Sequence, residues 1–235
     1  MTFYPADLAR IHDEGYGEFA RAGACEALRR LPGSGRVVEL GCGTGISTQI
    51  LSEAGYDVLG IDLSADMLAI AARRVPRAEL RQGSLWDAEL PRCVGVTAIG
   101  EVINYAADES AGPERLAELF ERIHAALRPG GVLLFDFATP GRATLRQGGP
   151  HVRAGADWRI EAEAVEDSAA RTLERRMTIG VGDSRRREVH RLRLYDPELV
   201  RKCLDSLRFR YEALAGCCDF GFWPGYAAFA AVKQS

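Results

Sequence analysis

The sequence has almost no lysine, 2 residues against 28 arginines in a chain of 235. With a formal net charge of −3, that bias reads as codon usage rather than as a nucleic-acid face, because duplex binding needs a broad basic surface. The one local basic run, Arg185-Arg186-Arg187, reads as a solvated turn. The six cysteines (25, 42, 93, 203, 217 and 218) contain no C-x-x-C pair and no Cys/His spacing that would build a zinc site, so no metal is expected. Cys217 and Cys218 are chain neighbours, which disfavours a bridge between them. No apolar stretch approaches the roughly 18 residues of a membrane helix. The start, residues 1–7, lacks the basic and apolar regions of a secretory signal. These absences predict a chain with no membrane partner in a reducing cytoplasm. Neither a Pro/Gly/Ser-rich linker nor a repeat divides it, so 1–235 reads as a single domain.

What is present is alternation. Short aliphatic runs recur at 37–40, 58–61, 78–80, 94–99 and 132–137, separated by segments of helical period. The clearest helix, 113–127, places Leu116, Leu119, Phe120, Ile123 and Leu127 on one face, with Pro113 near its start and Pro129-Gly130 after its end. His124 lies within it and is given no chemical role. Two helices, 5–12 and 15–31, precede the first strand, the second stopped by Pro32-Gly33. Strands separated by helices predict a parallel sheet, which binds ligands at the carboxyl ends of its strands. From Asp157 the period falls to two. Trp158, Ile160, Ala162 and Ala164, then Leu173, Met177 and Ile179, then His190, Leu192 and Leu194 predict a three-segment antiparallel meander. A last helix, 197–207, and two closing strands, 208–216 and 226–232, follow.

The run VVELGCGTGIS, 37–47, sets three glycines at alternate positions after the first apolar run, with Glu39 at the junction. Glycine has no Cβ to hold a ligand off, and free N–H groups at a helix start lie nearby, which together imply a nucleotide-like ligand. A dinucleotide fingerprint counted from Gly41 would need Gly or Ala at position 46, which is Ile46, and no Gly-Lys-Ser/Thr of a phosphate loop follows. What fits is E-x-G-x-G-x-G, made by Glu39, Gly41, Gly43 and Gly45, and here the chain resembles class I S-adenosylmethionine-dependent methyltransferases. The resemblance continues in GYDVLGIDLSADML, 55–68, whose Asp62 lies 21 residues after Gly41, and in LRPGGVLLFDFATP, 127–140.

The resemblance implies an α/β fold: a Rossmann-like, seven-stranded, mostly parallel sheet with flanking helices and an antiparallel β-meander inserted after strand five. It implies S-adenosyl-L-methionine as cofactor, held by Glu39, Gly41, Cys42, Gly43, Gly45, Asp62, Leu63, Met67, Gly83, Ser84, Leu85, Gly100 and Tyr16. Asp62 is expected on the ribose hydroxyls. Ser84 stands where the family often has an acid meeting the adenine amino group, so a hydroxyl substitutes there. The backbone of Leu85, with Met67 and Leu68, is expected near the adenine. Glu39 either favours the cationic methionyl end or bonds loop N–H groups, while the helix start favours the carboxylate. Cys42 reads as a packing residue.

Methyl transfer from a sulfonium is largely a positioning problem. Where a base is useful, the candidates are Glu101 and Asn104 in GEVINYA, Asp136, His12, Tyr16 and His190, with Glu101, His190 and His12 as the catalytic set. By alternation His190 shares a face with Leu192 and Leu194, as an acceptor contact or as a core histidine. Residues 1–32, with Tyr4, His12 and Tyr16, are expected to form a helical lid, and 141–195 an acceptor roof. GEVINY lacks the N/D-P-P-Y signature, and the cysteines of RNA-cytosine enzymes are missing too. The expected acceptor is therefore the N or O of a small molecule, not nucleic acid, in a chain compatible with a homodimer. The rivals are a non-catalytic cofactor-binding partner or regulatory subunit, and an NAD(P)-dependent oxidoreductase.

Overall fold

A computed structural model describes residues 3–107, 111–142 and 151–234, so positions 1–2 of the expected lid and 143–150 of the expected roof lie outside the described residues. Five strands, β1 (Arg36–Leu40), β2 (Asp57–Asp62), β3 (Glu79–Gln82), β4 (Cys93–Ala98) and β5 (Leu127–Ala138), run parallel. The meander comprises β6 (His151–Ala154), β7 (Trp158–Asp167), β8 (Thr172–Val181) and β9 (Ser184–Arg193). After it come β10 (Phe209–Ala213), a small hairpin of β11 (Gly216–Cys217) and β12 (Phe220–Gly221), and β13 (Tyr226–Lys233). The main sheet has seven strands in the order β10-β13-β5-β4-β1-β2-β3, with β13 antiparallel to both neighbours. β1 pairs with β2 on one side and β4 on the other, so the switch point where such sheets bind ligands lies beyond Leu40. Every residue of β4 is buried, as expected of a strand covered on both faces.

The helices are α1 (Ala6–Gly15), α2 (Gly17–Leu28), α3 (Ile46–Glu53), α4 (Ala65–Arg74), α5 (Pro113–Ala126) and α6 (Pro197–Ser206). α5 starts on Pro113 and buries Leu116, Leu119, Phe120 and Ile123 in a core shared with Phe135, Phe137 and Phe229. Each such side chain contributes about 1.5–3 kcal/mol by leaving water. α4 is capped by Ser64, whose Oγ accepts from the Met67 amide at 3.1 Å.

The meander has four strands rather than three. β6 alternates only half-buried and exposed residues against the edge of β7, so no apolar period announces it. β5 begins at Leu127, five residues before the expected start, because a register shift between Cys93 and Gly95 accommodates the Pro129-Gly130 stretch. The first closing strand stops at Ala213, and the chain turns into the β11–β12 hairpin.

Trp158, Ile160, Ala162, Met177 and Ile179 on the inner face of the meander pack against Leu8 and Ile11 of α1. Forked ion pairs fasten the two, Arg10 on Asp157 at 3.1 and 3.0 Å and Arg186 on Asp7 at 2.8 Å twice. On the other side of α1, Arg74 of α4 grips Asp13 at 2.7 and 2.9 Å. The first helix and the meander thus form one layer over the strand ends.

The expectation of wholly reduced thiols needs correction. Cys25 of α2 and Cys218 are joined as a disulfide with Cα atoms 6.3 Å apart, leaving Cys42, Cys93, Cys203 and Cys217 free. Successive residues of a strand face opposite ways. Cys217 therefore enters the core, while Cys218, at φ 48°, turns toward α2 and donates its amide to Glu26 Oε2 at 3.2 Å. Ellman titration of protein denatured without reductant should count four thiols, and six after reduction. Six without reductant would remove the bridge. Among the described residues no helix is long and apolar enough to cross a membrane, and no His/Cys/Asp/Glu group is arranged to hold a metal.

Candidate active site

A cavity of about 420 Å³ opens between the carboxyl ends of β1, β2 and β4 and the layer formed by α1 and the meander. Its floor is the glycine turn, of which Gly41 and Gly43 line the cavity while Gly45 faces Ala71 outside the wall. Gly41, Gly43 and Gly45 have φ of +70°, +54° and +80°, left-handed values that a side-chain-bearing residue adopts only with strain. A Cβ at Gly41 would strike Val102, whereas one at Gly43 would meet nothing within 4 Å. Gly43 therefore presents bare backbone to open space in the cavity.

Asp62 ends β2 beside this turn. Its Oδ2 accepts from the Gly43 amide at 2.8 Å and its Oδ1 from the Ser64 amide at 2.9 Å, which fixes the carboxylate's orientation. Burial pushes its pKa up, against those two amides. Leu63 and Met67 flank it in the cavity wall, which Leu68 does not join. Gly83, Ser84 and Leu85, beyond β3, complete that side, with Gly83 donating to the Asp62 carbonyl at 2.9 Å and Ser84 Oγ accepting from the Trp86 amide at 3.1 Å.

Glu39 is buried at the cavity floor, where its Oε2 accepts from Thr48 Oγ1 of α3 at 2.5 Å. Burial pushes its pKa to about 7, only partly offset by the Thr48 and Ser47 hydroxyls. Cys42 packs close to Gly60, and burial raises its thiol well above the ordinary value, which leaves it no nucleophilic character at neutral pH.

Across the cavity Gly100 and Glu101 donate their amides to Asp136, at 2.6 Å to Oδ1 and 3.1 Å to Oδ2. Burial, and then the charge of Glu101, push Asp136 to about 8. Asp136 is thus an anchor for the loop after β4. Asn104 is another, its amide bridging the Ala138 and Arg193 carbonyls at 3.0 and 2.5 Å.

Glu101 lies in the loop after β4, paired with two guanidiniums. Its carboxylate accepts from Arg142 Nε at 2.9 Å and from Arg175 Nη2 at 2.7 Å. Burial would raise its pKa, yet the guanidiniums of Arg175 and Arg142 outweigh that and hold it below the ordinary carboxylate range. A carboxylate so held is an ion-pair anchor and a poor base.

His12 lines the cavity, its ring stacked on Tyr16 at 5.6 Å and 17°. Burial lowers its pKa to about 4, so the imidazole is neutral near pH 7, and its buried Nδ1 has no hydrogen-bond partner among the described residues. His190 shares the buried face of Leu192 and Leu194 as the alternation predicts, but that face does not reach the cavity. The ring pairs through Nε2 with Glu188 Oε1 at 2.7 Å and packs on Tyr4 and Tyr105, with centroids 4.8 and 5.7 Å away. His190 thus follows the core-histidine alternative and lies outside the cavity wall.

The structure adds Tyr105, Arg142, Arg175 and Tyr226 to the site, with Arg142 stacked 4.0 Å over the Tyr226 ring. One signal for Arg175 was available. It shares the alternating face of Leu173, Met177 and Ile179, all buried, so a lone charge on that face asks for a partner.

A glycine turn at the switch point and a fixed carboxylate at the end of the neighbouring strand thus line one cavity at the carboxyl ends of a Rossmann-like sheet. Residues 37–131 match the methyltransferase domain family. A dTDP-3-amino-3,6-dideoxy-alpha-D-glucopyranose N,N-dimethyltransferase from Streptomyces fradiae is 29% identical, over 91% of this chain and 88% of its own. A trans-aconitate 2-methyltransferase from Paracidovorax citrulli (strain AAC00-1) is 33% identical, over 76% of this chain and 64% of its own. In fold, the CcbJ methyltransferase from Streptomyces caelestis matches with a TM-score of 0.81 at 20% identity, covering 100% of this chain and 99% of that one. Residues 37–131 thus carry a methyltransferase domain, and the chain as a whole has the fold of class I S-adenosylmethionine-dependent methyltransferases.

Proposed function

We propose that the protein methylates a nitrogen or oxygen of a small molecule rather than of a nucleic acid. The observation that carries this is one continuous cavity, reaching from the glycine turn to side chains of β7 and β8 under α1. The names of the two relatives support it, one acting on a dTDP-linked amino sugar and one on trans-aconitate.

The bare turn suits S-adenosylmethionine, since at Gly43 the main chain faces open space beside a fixed carboxylate. When bound, that cofactor supplies a methyl group already activated on a sulfonium. Asp62 would hold the ribose hydroxyls. Leu63, Met67, Gly83, Ser84 and Leu85 would frame the adenine. Gly41, Gly43 and Gly45, with the start of α3, would receive the methionyl carboxylate, and Glu39 its ammonium. Gly100 and Tyr16 would close the remaining sides. Residues 1–32 serve as lid and the meander as roof, excluding water and holding the acceptor in line, the effect that effective molarities of order 10⁵–10⁸ M describe. His12, neutral near pH 7 and in the cavity wall, is the candidate that would meet the acceptor there, as a contact and at most a weak base. The proposed location is the cytoplasm, where a Cys25–Cys218 bridge would be unusual. Thiol counts on protein drawn from cells without reductant decide that point.

Calorimetric titration with S-adenosylhomocysteine tests the donor half, with saturation at one molecule per chain expected. Labelled-methyl transfer to a metabolite extract tests the acceptor half. No binding, or label found only on nucleic acid, would overturn the proposal. The titration also has a predicted pH course. Glu39, near 7 in the free protein, must be ionised to receive an ammonium, so binding expels a proton and affinity rises as pH climbs through 7. Below about pH 6 affinity should fall by up to ~10-fold per unit, a slope that Glu39→Gln removes.

A further inference from the structure

The two ends of the cavity carry opposite charge. At the glycine end stand the carboxyls of Glu39 and Asp62 with no guanidinium in the wall beside them. At the meander end, among the described residues, stand Arg142, Arg153 and Arg175 with Glu101 and Glu18. Glu18 lies 3.8 Å from Arg153 and its side chain is 73% exposed, so that pair is screened and weak. Glu101 is 3% exposed and is shared between two guanidiniums. One buried carboxylate thus faces two cations, Arg142 buried and Arg175 partly buried at 24% exposure. Tyr105 and Tyr4, hydrogen-bonded to each other at 3.0 Å, add no negative charge, because burial, ahead of the Tyr105 interaction, keeps the Tyr4 hydroxyl protonated. Only two of the donors on the Arg175 guanidinium are engaged within the described residues, by Glu101 Oε2 and by Tyr105 Oη at 3.1 Å. Around them the wall is apolar, with Ile160, Met177 and Trp223.

An excess cation in such a setting is costly to hold unless something pairs it. We infer that the methyl acceptor carries an oxyanion, a carboxylate or a phosphate, which docks on Arg175 at the meander end with Arg153 as a second, outer contact. A guanidinium with donors to spare suits such a group, since it offers parallel N–H bonds to two oxygens. An amine acceptor lacking an anionic group would meet net positive charge there and be disfavoured. This inference rests on reading the cavity as the acceptor site, and it narrows the acceptor class within that reading.

The test uses the full chain saturated with S-adenosylhomocysteine at low salt, titrated separately with inorganic pyrophosphate, citrate and neutral glucose. One anion per chain should bind, with glucose showing no heat. Whichever anion binds more tightly names the phosphate or the carboxylate as the source. Arg175→Gln should weaken anion binding by ~10-fold or more, and Arg175→Lys, which keeps charge but not the fork, by less. Glu101→Gln should move the other way and tighten it, because the internal competitor for both guanidiniums is gone. Thermal unfolding checks that each variant folds, and if Arg175→Gln does not, the Glu101→Gln and Arg153→Gln titrations carry the same decision. Equal anion affinity in wild type and Arg175→Gln, weaker anion binding in Glu101→Gln, or glucose binding as well as the anions would overturn the inference. The affinity for S-adenosylhomocysteine is read separately, and its loss in wild type would sink the donor reading instead.

Discussion

Asp62→Ala is expected to lower the affinity for S-adenosylhomocysteine by about 10²–10⁴-fold, from two charge-assisted hydrogen bonds worth about 1.5–3 kcal/mol each. The carboxylate is held by the Gly43 and Ser64 amides at 2.8 and 2.9 Å, and a carboxylate oxygen has a second lone pair for a ligand hydroxyl. The substitution also frees the Gly43 amide and loosens the turn, so its structural and binding effects must be separated. Asp62→Asn does this. It keeps the shape but turns an NH₂ toward one of two amide donors, so it should fold yet bind with an intermediate loss. Calorimetry gives the affinities and thermal unfolding the fold. An Asp62→Ala protein that stays folded and binds within threefold of wild type would remove the ribose role.

The parallel core was legible because its signals are local. Apolar runs, capping residues and the 3.6-residue period of α5 each say what one element does, and the alternation of Trp158, Ile160 and Ala162 announces a half-buried strand before any partner is known. The glycine turn was legible for the same reason, since the three left-handed residues follow one another in the chain. What escaped depends on partners far apart in sequence. Cys25 and Cys218 are 193 residues apart, so nothing near either one announces their meeting. β6 is polar along its length and exists because β7 offers it an edge.

The surroundings of the catalytic candidates were hidden for a related reason. Alternation placed His190 on the buried face, but a face does not say what lies against it, and the ring packs on Tyr4 and Tyr105, which line the cavity while it does not. Glu101 was placed after β4 while its partners were not, because the two guanidiniums that pair with it arrive from 41 and 74 residues further along the chain. Arg175 was the one detectable omission, a charge alternating in step with Leu173 and Met177.

Gly43→Val should abolish detectable binding of S-adenosylhomocysteine, a loss of at least about 100-fold or ~2.7 kcal/mol, in a protein that still folds. Gly41 and Gly43 of the turn differ in what surrounds them. A side chain at Gly41 meets Val102 inside the protein, so Gly41→Ala would report on packing and backbone strain together. At Gly43 no protein atom lies within 4 Å of the new Cβ, so the fold pays only for the left-handed φ of +54°. That strain is about 1–2 kcal/mol, which for a domain of this size lowers Tm by roughly 2–8 °C. Gly55 supplies the control, for it too has positive φ, +93°, and nothing within 4 Å, but it lies in the turn between α3 and β2 and outside the cavity wall. Gly43→Ala and Gly55→Ala should therefore lose similar stability, while only the first loses affinity, and valine should deepen the loss at 43 by filling more of the ligand's space. Equal ligand affinity in the two alanine variants would mean that the exposed backbone at Gly43 faces solvent and not the cofactor.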